Sequence, residues 1–65
     1  MKRFAVTVED LDFQLKRKEV HQADSWQSAV LCHSMVGAEF EDLVDDADLE
    51  KRCEDYGYKI EVTQL

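Results

Sequence analysis

The sequence predicts an α+β fold, in which a three-stranded antiparallel sheet carries two or three short helices on one face, in the order β-β-α-α-β. Residues 2–9 and 58–65 alternate between apolar and polar side chains, which is typical of strands with one buried face. Between these segments, apolar residues recur at spacings of three and four, which indicates helices. The chain has 65 residues, so we expect residues 1–65 to form a single compact domain with a small core.

The first two strands are predicted to form a hairpin. In residues 2–9, Phe4, Val6 and Val8 point to the same side, which we expect to be buried. Residues 10–12 have the composition of a turn, and residues 13–22 are the predicted second strand. The alternation slips at Val20, which predicts a β-bulge or an exposed far end of this strand.

The first predicted helix covers residues 26–36. Asp24 and Gln27 have the spacing of a capping box at its start. Gly37 follows the helix, and glycine ends helices at no steric cost. The residues that share one face of this helix, and that we expect to contact the core, are Trp26, Ala29, Val30, His33 and Val36.

Two further helices are predicted between Gly37 and Gly57. We expect a short helix at residues 39–44 and a second at residues 47–56, with Asp45 and Asp46 between them. A single longer helix is the alternative. Gly57 predicts the end of the last helix, and residues 58–65 then form the third strand, with Tyr58, Ile60 and Val62 on one face.

The net charge of the chain is confined to its second part. Residues 1–38 carry five acids and five bases, whereas residues 39–65 carry ten acids and three bases, which accounts for the formal charge of −7. Like charges repel one another in the compact state. If the segment is helical, four acids also stand at destabilising four-residue intervals, namely Asp42, Asp46, Glu50 and Glu54.

A surface that opposes folding in this way indicates a role in binding a basic partner. A solvated helix face that only aids solubility is the alternative. Tyrosine is enriched in binding hot spots, so an aromatic residue beside the acids is included as an anchor. The predicted partner-binding residues are Glu39, Glu41, Asp42, Asp45, Asp46, Asp48, Glu50, Glu54, Asp55 and Tyr56.

No catalytic or metal-binding pattern is visible, so we expect no enzyme, no cofactor and no metal. No motif brings an acid, a base and a nucleophile together. Residues 46–50 resemble the start of a calcium loop, but the glycine and the acid required later in that loop are missing. The cysteines, Cys32 and Cys53, lack the paired spacing of zinc ligands, and we expect both to be reduced, small core residues.

Direct binding to nucleic acid or to a membrane is not expected. The only basic run, residues 16–18, is divided between the two faces of a strand, whereas nucleic-acid binding needs a dominant basic face. The longest uncharged run is residues 25–38, which is too short and too polar to span a membrane. Residues 1–9 lack the pattern of a secretion signal, which predicts a cytoplasmic location.

In its size, its strand–strand–helix–strand layout and its one-sided acidity, the chain resembles the small acidic proteins with which phages disable host machinery. Anti-CRISPR proteins are the closest in kind, and phage inhibitors of bacterial RNA polymerase come next. The resemblance implies a stoichiometric inhibitor, acting as a DNA mimic in the bacterial cytoplasm, that occupies a basic surface of a CRISPR surveillance complex. We expect a monomer; a structural or assembly module that dimerises through a sheet edge is the alternative.

Overall fold

The computed structural model describes all 65 residues and has one three-stranded antiparallel sheet, with strand order β2-β1-β3. The strands are β1 (Lys2–Asp10), β2 (Leu15–Ala23) and β3 (Tyr58–Gln64). Helix α1 (Trp26–Cys32), one turn of 3₁₀ helix (Ala38–Phe40) and helix α2 (Asp46–Tyr56) lie between β2 and β3 in the chain. The predicted fold class and element order are therefore confirmed.

One face of the sheet packs against the helices and forms the core. The alternation in β1 places Phe4, Val6 and Val8 on this face, and all three are buried as predicted. Tyr58, Ile60 and Val62 of β3 pack beside them. The helical side of the core is formed by Ala29, Val30, Phe40, Leu43 and Leu49.

The opposite face of the sheet is largely exposed and has a different charge from the rest of the molecule. Only Ala5 is buried there, between Val20 and Thr63 on the neighbouring strands. The charged residues of this open face are Arg3, Glu9, Lys16, Lys18, Lys59 and Glu61. They comprise four bases and two acids, whereas the remaining residues carry four bases and 13 acids.

The turn of the β1–β2 hairpin is longer than predicted. The side chain of Asp10 accepts hydrogen bonds from the backbone N–H groups of Asp12 (3.0 Å) and Phe13 (3.2 Å), which holds the chain in a turn through these residues. Gln14 then adopts a left-handed conformation with φ 55°. As a result β2 begins at Leu15 and not at residue 13.

The predicted bulge in β2 is absent. Pairing with β1 is continuous from Leu15 to Ala23, so Val20 lies on the open face without any break in register. Most of this segment is exposed, from Phe13 (75%) and Leu15 (59%) at its beginning to Val20 (47%), and burial returns only at Ala23. The alternative to a bulge, an exposed far end, is confirmed, because Val20 and Gln22 are exposed at the end of the predicted segment.

The N-cap of α1 is Ser25 and not the predicted Asp24. The side chain of Ser25 accepts a hydrogen bond from the backbone N–H of Ser28 at 3.3 Å. Gln27 does not return to Asp24, as a capping box would require. Instead, its side-chain amide donates to the carbonyl oxygen of Val44 at 3.0 Å, which joins α1 to the segment before α2.

α1 also ends earlier than predicted, at Cys32, because His33 leaves the helix and enters the core. His33 is buried; its Nε2–H donates to the carbonyl oxygen of Arg17 (3.0 Å), and its Nδ1 accepts from the N–H of Met35 (3.1 Å). Gly37 does not end this helix. It has an extended backbone with φ −118° and precedes the 3₁₀ turn.

In the second half of the chain, α2 lies where a helix was predicted, but the segment before α2 differs from the prediction. The short helix predicted at residues 39–44 is a single 3₁₀ turn, so residues 39–56 do not form one long helix. Gly57 ends α2 in the left-handed conformation, as predicted. Cys53 packs half-buried against the core, but Cys32 is exposed, so the expectation of a core role is wrong for Cys32.

Candidate functional site

The acids of the predicted partner-binding surface lie on α2 and on the segment that leads into it. Glu39 and Asp48 are half-buried. The other seven are exposed: Glu41, Asp42, Asp45, Asp46, Glu50, Glu54 and Asp55. The structure thus brings the exposed acids together on the side of the molecule opposite the open face of the sheet.

Asp45 and Asp48 hold the start of α2 in place. Asp45 is the N-cap, and its side chain accepts from the N–H of Asp48 at 2.9 Å. Asp48 accepts from the N–H of Val44 at 3.1 Å and forms an ion pair with Arg52 at 3.0 Å. The hydrogen bond from Val44, followed by the contacts with Arg52, lowers the pKa of the Asp48 carboxyl. These two acids therefore have partners within the chain.

Arg52 fixes the acidic segment against α2. Its guanidinium donates to the carbonyl oxygens of Glu39 (3.5 Å), Glu41 and Asp42 (3.3 Å), in addition to its bonds with Asp48. Guanidinium groups form such multiple bonds because their donors lie in one plane at fixed angles. The Arg52 guanidinium therefore holds the acids of α2 and those of the segment before it in a defined arrangement.

One flank of α2 carries only acids, which we name the acidic ridge: Asp46, Glu50 and Glu54. Residues at four-residue intervals neighbour one another on a helix, about 6 Å apart along its axis. Asp42 was predicted to continue this row, but it lies outside α2 in a left-handed conformation with φ 58°. The other flank is mixed, because Lys51 and Arg52 lie there.

A groove runs between the acidic ridge and β3. Its first part has a volume of about 450 Å³ and is lined by Trp26, Leu49, Ile60 and Val62, among others, with Asp46 and Glu50 at the rim. Its second part, about 370 Å³, continues past Cys53 and Tyr58 to Glu54. Leu49, Glu50 and Ile60 line both parts, so the groove is continuous along β3.

The two tyrosines beside the acidic segment have different environments. Tyr56 is 53% exposed, with its ring centre 6.3 Å from that of Phe40. Tyr58 is half-buried and packs edge-on against Phe40 at 5.5 Å. Burial, together with the nearby carboxylates of Asp10 and Glu39, raises the pKa of Tyr58. Tyr56 is thus the tyrosine that a partner can contact.

A separate polar cluster joins β2 to the segment after α1. The carboxylate of Glu19 accepts from the hydroxyl and the N–H of Ser34, and contacts Nε2 of His21 (2.7 Å) and Nε of Arg17 (2.9 Å). The bonds from Ser34 and His21 lower the pKa of Glu19 from 4.5 to about 2. The Ser34 hydroxyl donates to the Glu19 carboxylate, and the low pKa of this carboxyl group makes it a weak base.

The cluster also lacks the geometry of a metal site. Both ring nitrogens of His33, which lies beside the cluster, are engaged by backbone groups. The structure contains no group of three or more His, Cys, Asp or Glu side chains arranged to hold a metal ion. The bonds of Glu19 therefore serve to fasten the end of α1 to β2.

Comparisons of the chain with protein-family models, with curated proteins and with solved structures gave no significant match. Neither α1 nor α2 has the length and apolarity that a membrane-spanning helix needs. The interpretation of the site therefore depends on its geometry and charge.

The acids of the site were predicted from the sequence, but the groove was not. Trp26, Ile60 and Val62 were assigned to the core because of their spacing, whereas the structure leaves all three half-buried along the groove. Their exposure follows from the position of β3 at the edge of the sheet. Strand order is not encoded in local alternation, so no pattern in the sequence indicated it.

Proposed function

We propose that the protein is a non-enzymatic inhibitor that binds, one to one, a basic surface of a nucleic-acid-binding complex and thereby excludes the nucleic acid. The observation that supports this proposal best is the segregation of charge. Seven exposed carboxylates lie on α2 and on the segment before it, and the bases near them are Lys51, Arg52 and Lys59. Arg52 is already paired with Asp48, so most of this negative charge has no counter-charge within the chain.

The arrangement of the acids favours binding to a basic surface over a role in solubility alone. Arg52, Asp45 and Asp48 fix the backbone that carries the exposed acids. A surface that is ordered before binding loses less conformational entropy when the partner arrives. Complementary charge also accelerates the encounter of the two proteins, and this acceleration weakens as salt is added.

The resemblance to anti-CRISPR proteins suggests which partner to test first. A CRISPR surveillance complex in the bacterial cytoplasm presents a positively charged channel for nucleic acid. An acidic domain with principal dimensions of 32 × 22 × 17 Å is small enough to cover part of such a channel. Bacterial RNA polymerase, which also binds DNA, is the second target to test.

Competition with DNA tests the proposal. Increasing amounts of the protein are added to a purified surveillance complex bound to labelled duplex DNA, at two salt concentrations. We expect the wild-type protein to displace the DNA, and its direct binding to the DNA-free complex to weaken at the higher salt concentration. The test variant carries Glu41→Gln, Asp46→Asn, Glu50→Gln, Glu54→Gln and Asp55→Asn, which leaves Asp45 and Asp48 in their structural roles.

A charge-matched control separates the acidic surface from net charge, and its counterpart is the twofold variant Glu50→Gln with Glu54→Gln, which should compete less well than the wild-type protein. Glu9→Gln with Glu61→Gln removes acids from the open face of the sheet. This control should compete like the wild-type protein, whereas the fivefold variant should lose competition while remaining folded. The folded fivefold variant and the wild-type protein are also compared on RNA polymerase. If the variant displaces DNA from both complexes with the same efficiency as the wild-type protein, the acids are only a solvated face and the proposal is wrong.

A further inference from the structure

We propose that the groove between the acidic ridge and β3 binds an extended segment of a partner protein, which carries Lys or Arg at alternate positions and adds to β3 as a fourth strand. The inference rests on the proposed function, because it specifies which part of a basic partner is bound. It depends on three features: an unpaired strand edge, an apolar groove beside that edge, and a row of acids above the groove.

The outer edge of β3 has no neighbouring strand, although the N–H of Ile60 on this edge bonds the thiol of Cys53 in α2. β3 is the last strand of the sheet and pairs only with β1. The bonds from Leu11 N–H to Gly57 (2.9 Å) and from Leu65 N–H to Arg3 (2.8 Å) show that odd-numbered residues of this segment face β1. Because an antiparallel strand alternates the direction of its backbone groups, even-numbered residues such as Val62 and Gln64 direct theirs outward.

Side chains of an added strand would enter the groove on the same side as the helices. Paired strands lie about 4.8 Å apart, and alternate residues point to the same face. The surface that these residues meet is apolar below, at Leu49, Ile60 and Val62, and acidic at the rim. Lys and Arg suit both parts, since their aliphatic stems pack on apolar surface while their charged ends reach the acids.

The spacing of the acidic ridge matches the spacing of an extended chain. Asp46 and Glu50 line the groove together with Val62 and Gln64, and Glu54 lines it with Tyr58 and Ile60. α2 therefore runs alongside β3 in the opposite direction. Successive ridge acids are about 6 Å apart along α2, and alternate residues of a strand are about 6.8 Å apart. Each basic residue of the segment can thus face one acid.

The charge of the groove excludes a second copy bound through the same edge. Pairing β3 with the β3 of another molecule would bring two acidic ridges together, which like-charge repulsion opposes. The other edge of the sheet is β2, which carries the basic residues Lys16, Arg17 and Lys18. β2 of a second copy, in a head-to-tail assembly, is therefore the competing occupant of the groove.

A synthetic peptide provides the first measurement. The probe is an eight-residue peptide with blocked ends that alternates Lys and Thr; a peptide with four Lys followed by four Thr has the same composition and charge. Trp26, the only tryptophan, lines the groove and reports binding by its fluorescence. We expect saturable one-to-one binding of the alternating peptide, slower hydrogen exchange at Val62 and Gln64, and weaker binding of the block peptide.

Two N-methylated forms of the alternating peptide test for strand addition. One form is methylated at every second amide and the other at the remaining amides, so only one of the forms blocks the edge that faces β3. We expect one form to bind about tenfold more weakly or worse, and the other to bind like the parent peptide. Equal binding of both forms would show simple charge attraction, which overturns the inference but leaves the proposed function standing.

Two triple variants test the ridge itself. The first combines Asp46→Asn, Glu50→Gln and Glu54→Gln, and this variant should bind the alternating peptide about tenfold more weakly. The second triple variant removes the same charge outside the groove, through Glu41→Gln, Asp42→Asn and Asp55→Asn. It should leave the affinity for the peptide almost unchanged. If both variants weaken binding equally, the groove has no special role. Failure of DNA competition with intact peptide binding would instead refute the proposed function alone.

Sedimentation velocity of the free protein tests the competing occupant. We expect a monomer across the concentration range used for the peptide titrations. A mass that increases with concentration, and that returns to monomer in the Lys16→Glu and Lys18→Glu variant, would assign the groove to β2 of a second copy and overturn the inference.

Discussion

Gly57 connects α2 to β3 without an intervening loop, and its backbone conformation makes this possible. Its φ of 76° lies in the left-handed region, and its N–H bonds the carbonyl oxygen of Cys53. A Cβ atom at this position would lie 3.1 Å from Oδ2 of Asp12. Any side chain here thus meets backbone strain as well as a close contact.

We predict that Gly57→Ala lowers the free energy of unfolding by about 1–2 kcal/mol. Gly37→Ala is the control, because Gly37 has φ −118° and only the flexible carboxylate of Glu39 lies near the added atom. We expect the control to change stability by less than about 0.5 kcal/mol. Urea denaturation measures both variants, and equal losses would contradict the conformational explanation.

Glu19 makes folding dependent on pH at the acid end of the range. Its side chain is only 14% exposed, and its bonds from Ser34 and His21 hold its pKa at about 2 instead of 4.5. The bonded carboxylate therefore contributes stability above pH 4.5, and this contribution is lost as the pH falls from about 4.5 towards about 2.

We predict that Glu19→Gln removes this part of the pH dependence. Thermal melts between pH 2 and pH 6, followed by circular dichroism, should show the wild-type protein and the variant converging near pH 2, diverging as the pH rises to about 4.5, and differing by a constant amount above it. Ser34→Ala, which removes the largest cause of the pKa shift, should give an intermediate profile. A constant difference between wild type and Glu19→Gln at every pH would show that the loss is one of packing.

At the scale of secondary structure, the segment from the 3₁₀ turn to α2 depends on a single side chain. Arg52 binds three carbonyl oxygens of this segment, and Phe40 and Leu43 from the same segment enter the core. Removing Arg52 leaves these carbonyl oxygens without their donor and leaves Asp48 without its ion pair. The position of the segment should therefore loosen before the sheet does.

We predict that Arg52→Gln lowers the melting temperature by about 4–8 °C, which corresponds to about 1 kcal/mol in a domain of this size. Lys51→Gln has the same change of charge at an exposed position on the same helix and should leave the melting temperature within about 2 °C of wild type. Hydrogen exchange of residues 38–44 should accelerate in the Arg52 variant only. Uniform acceleration along the whole chain would point to a global effect instead.

The elements that the sequence predicted well are those determined by local pattern. The alternation in β1 and β3 and the spacing that ends at Gly57 are local, and all three elements lie where they were expected. The end of α1 was missed because it depends on the bond from His33 to Arg17, which is distant in sequence. The predicted cap of α1 was missed for a similar reason, since Gln27 bonds Val44.

For the candidate site too, the features set by local sequence were predicted and those set by distant contacts were not. The acids were found by counting charge, and their exposure on α2 follows from helical periodicity. The separate roles of Asp45 and Asp48, however, depend on hydrogen bonds that composition does not reveal. The groove required the strand order β2-β1-β3, because only this order leaves the outer edge of β3 unpaired.

At the scale of the whole molecule, the charge of −7 opposes the compact state. Two like-charge pairs within the acidic ridge, Asp46 with Glu50 and Glu50 with Glu54, each cost about 0.2–0.5 kcal/mol. We predict that raising sodium chloride from about 10 mM to about 300 mM increases the melting temperature by a few degrees, because the screening length then falls well below 10 Å.

The variant with a neutralised ridge, Asp46→Asn with Glu50→Gln and Glu54→Gln, should start from a higher melting temperature and respond less to salt. Melts in both salt concentrations measure the two proteins side by side. A wild-type melting temperature that falls with salt would mean that ion pairs such as Arg52 with Asp48 outweigh the repulsion.

The separation of charge between the two sides of the sheet also gives the molecule a permanent electric dipole moment. Four bases and two acids lie on the open face, whereas 13 acids and four bases lie elsewhere. The electric field of a positively charged surface exerts a torque on this dipole, which turns the acidic side of the protein towards the surface before the two are in contact. More collisions then begin in a productive orientation, and the protein approaches an acidic surface with its basic face leading instead. The sheet thus determines how the protein is oriented as it diffuses towards a charged surface, because it separates the basic open face from the acidic side.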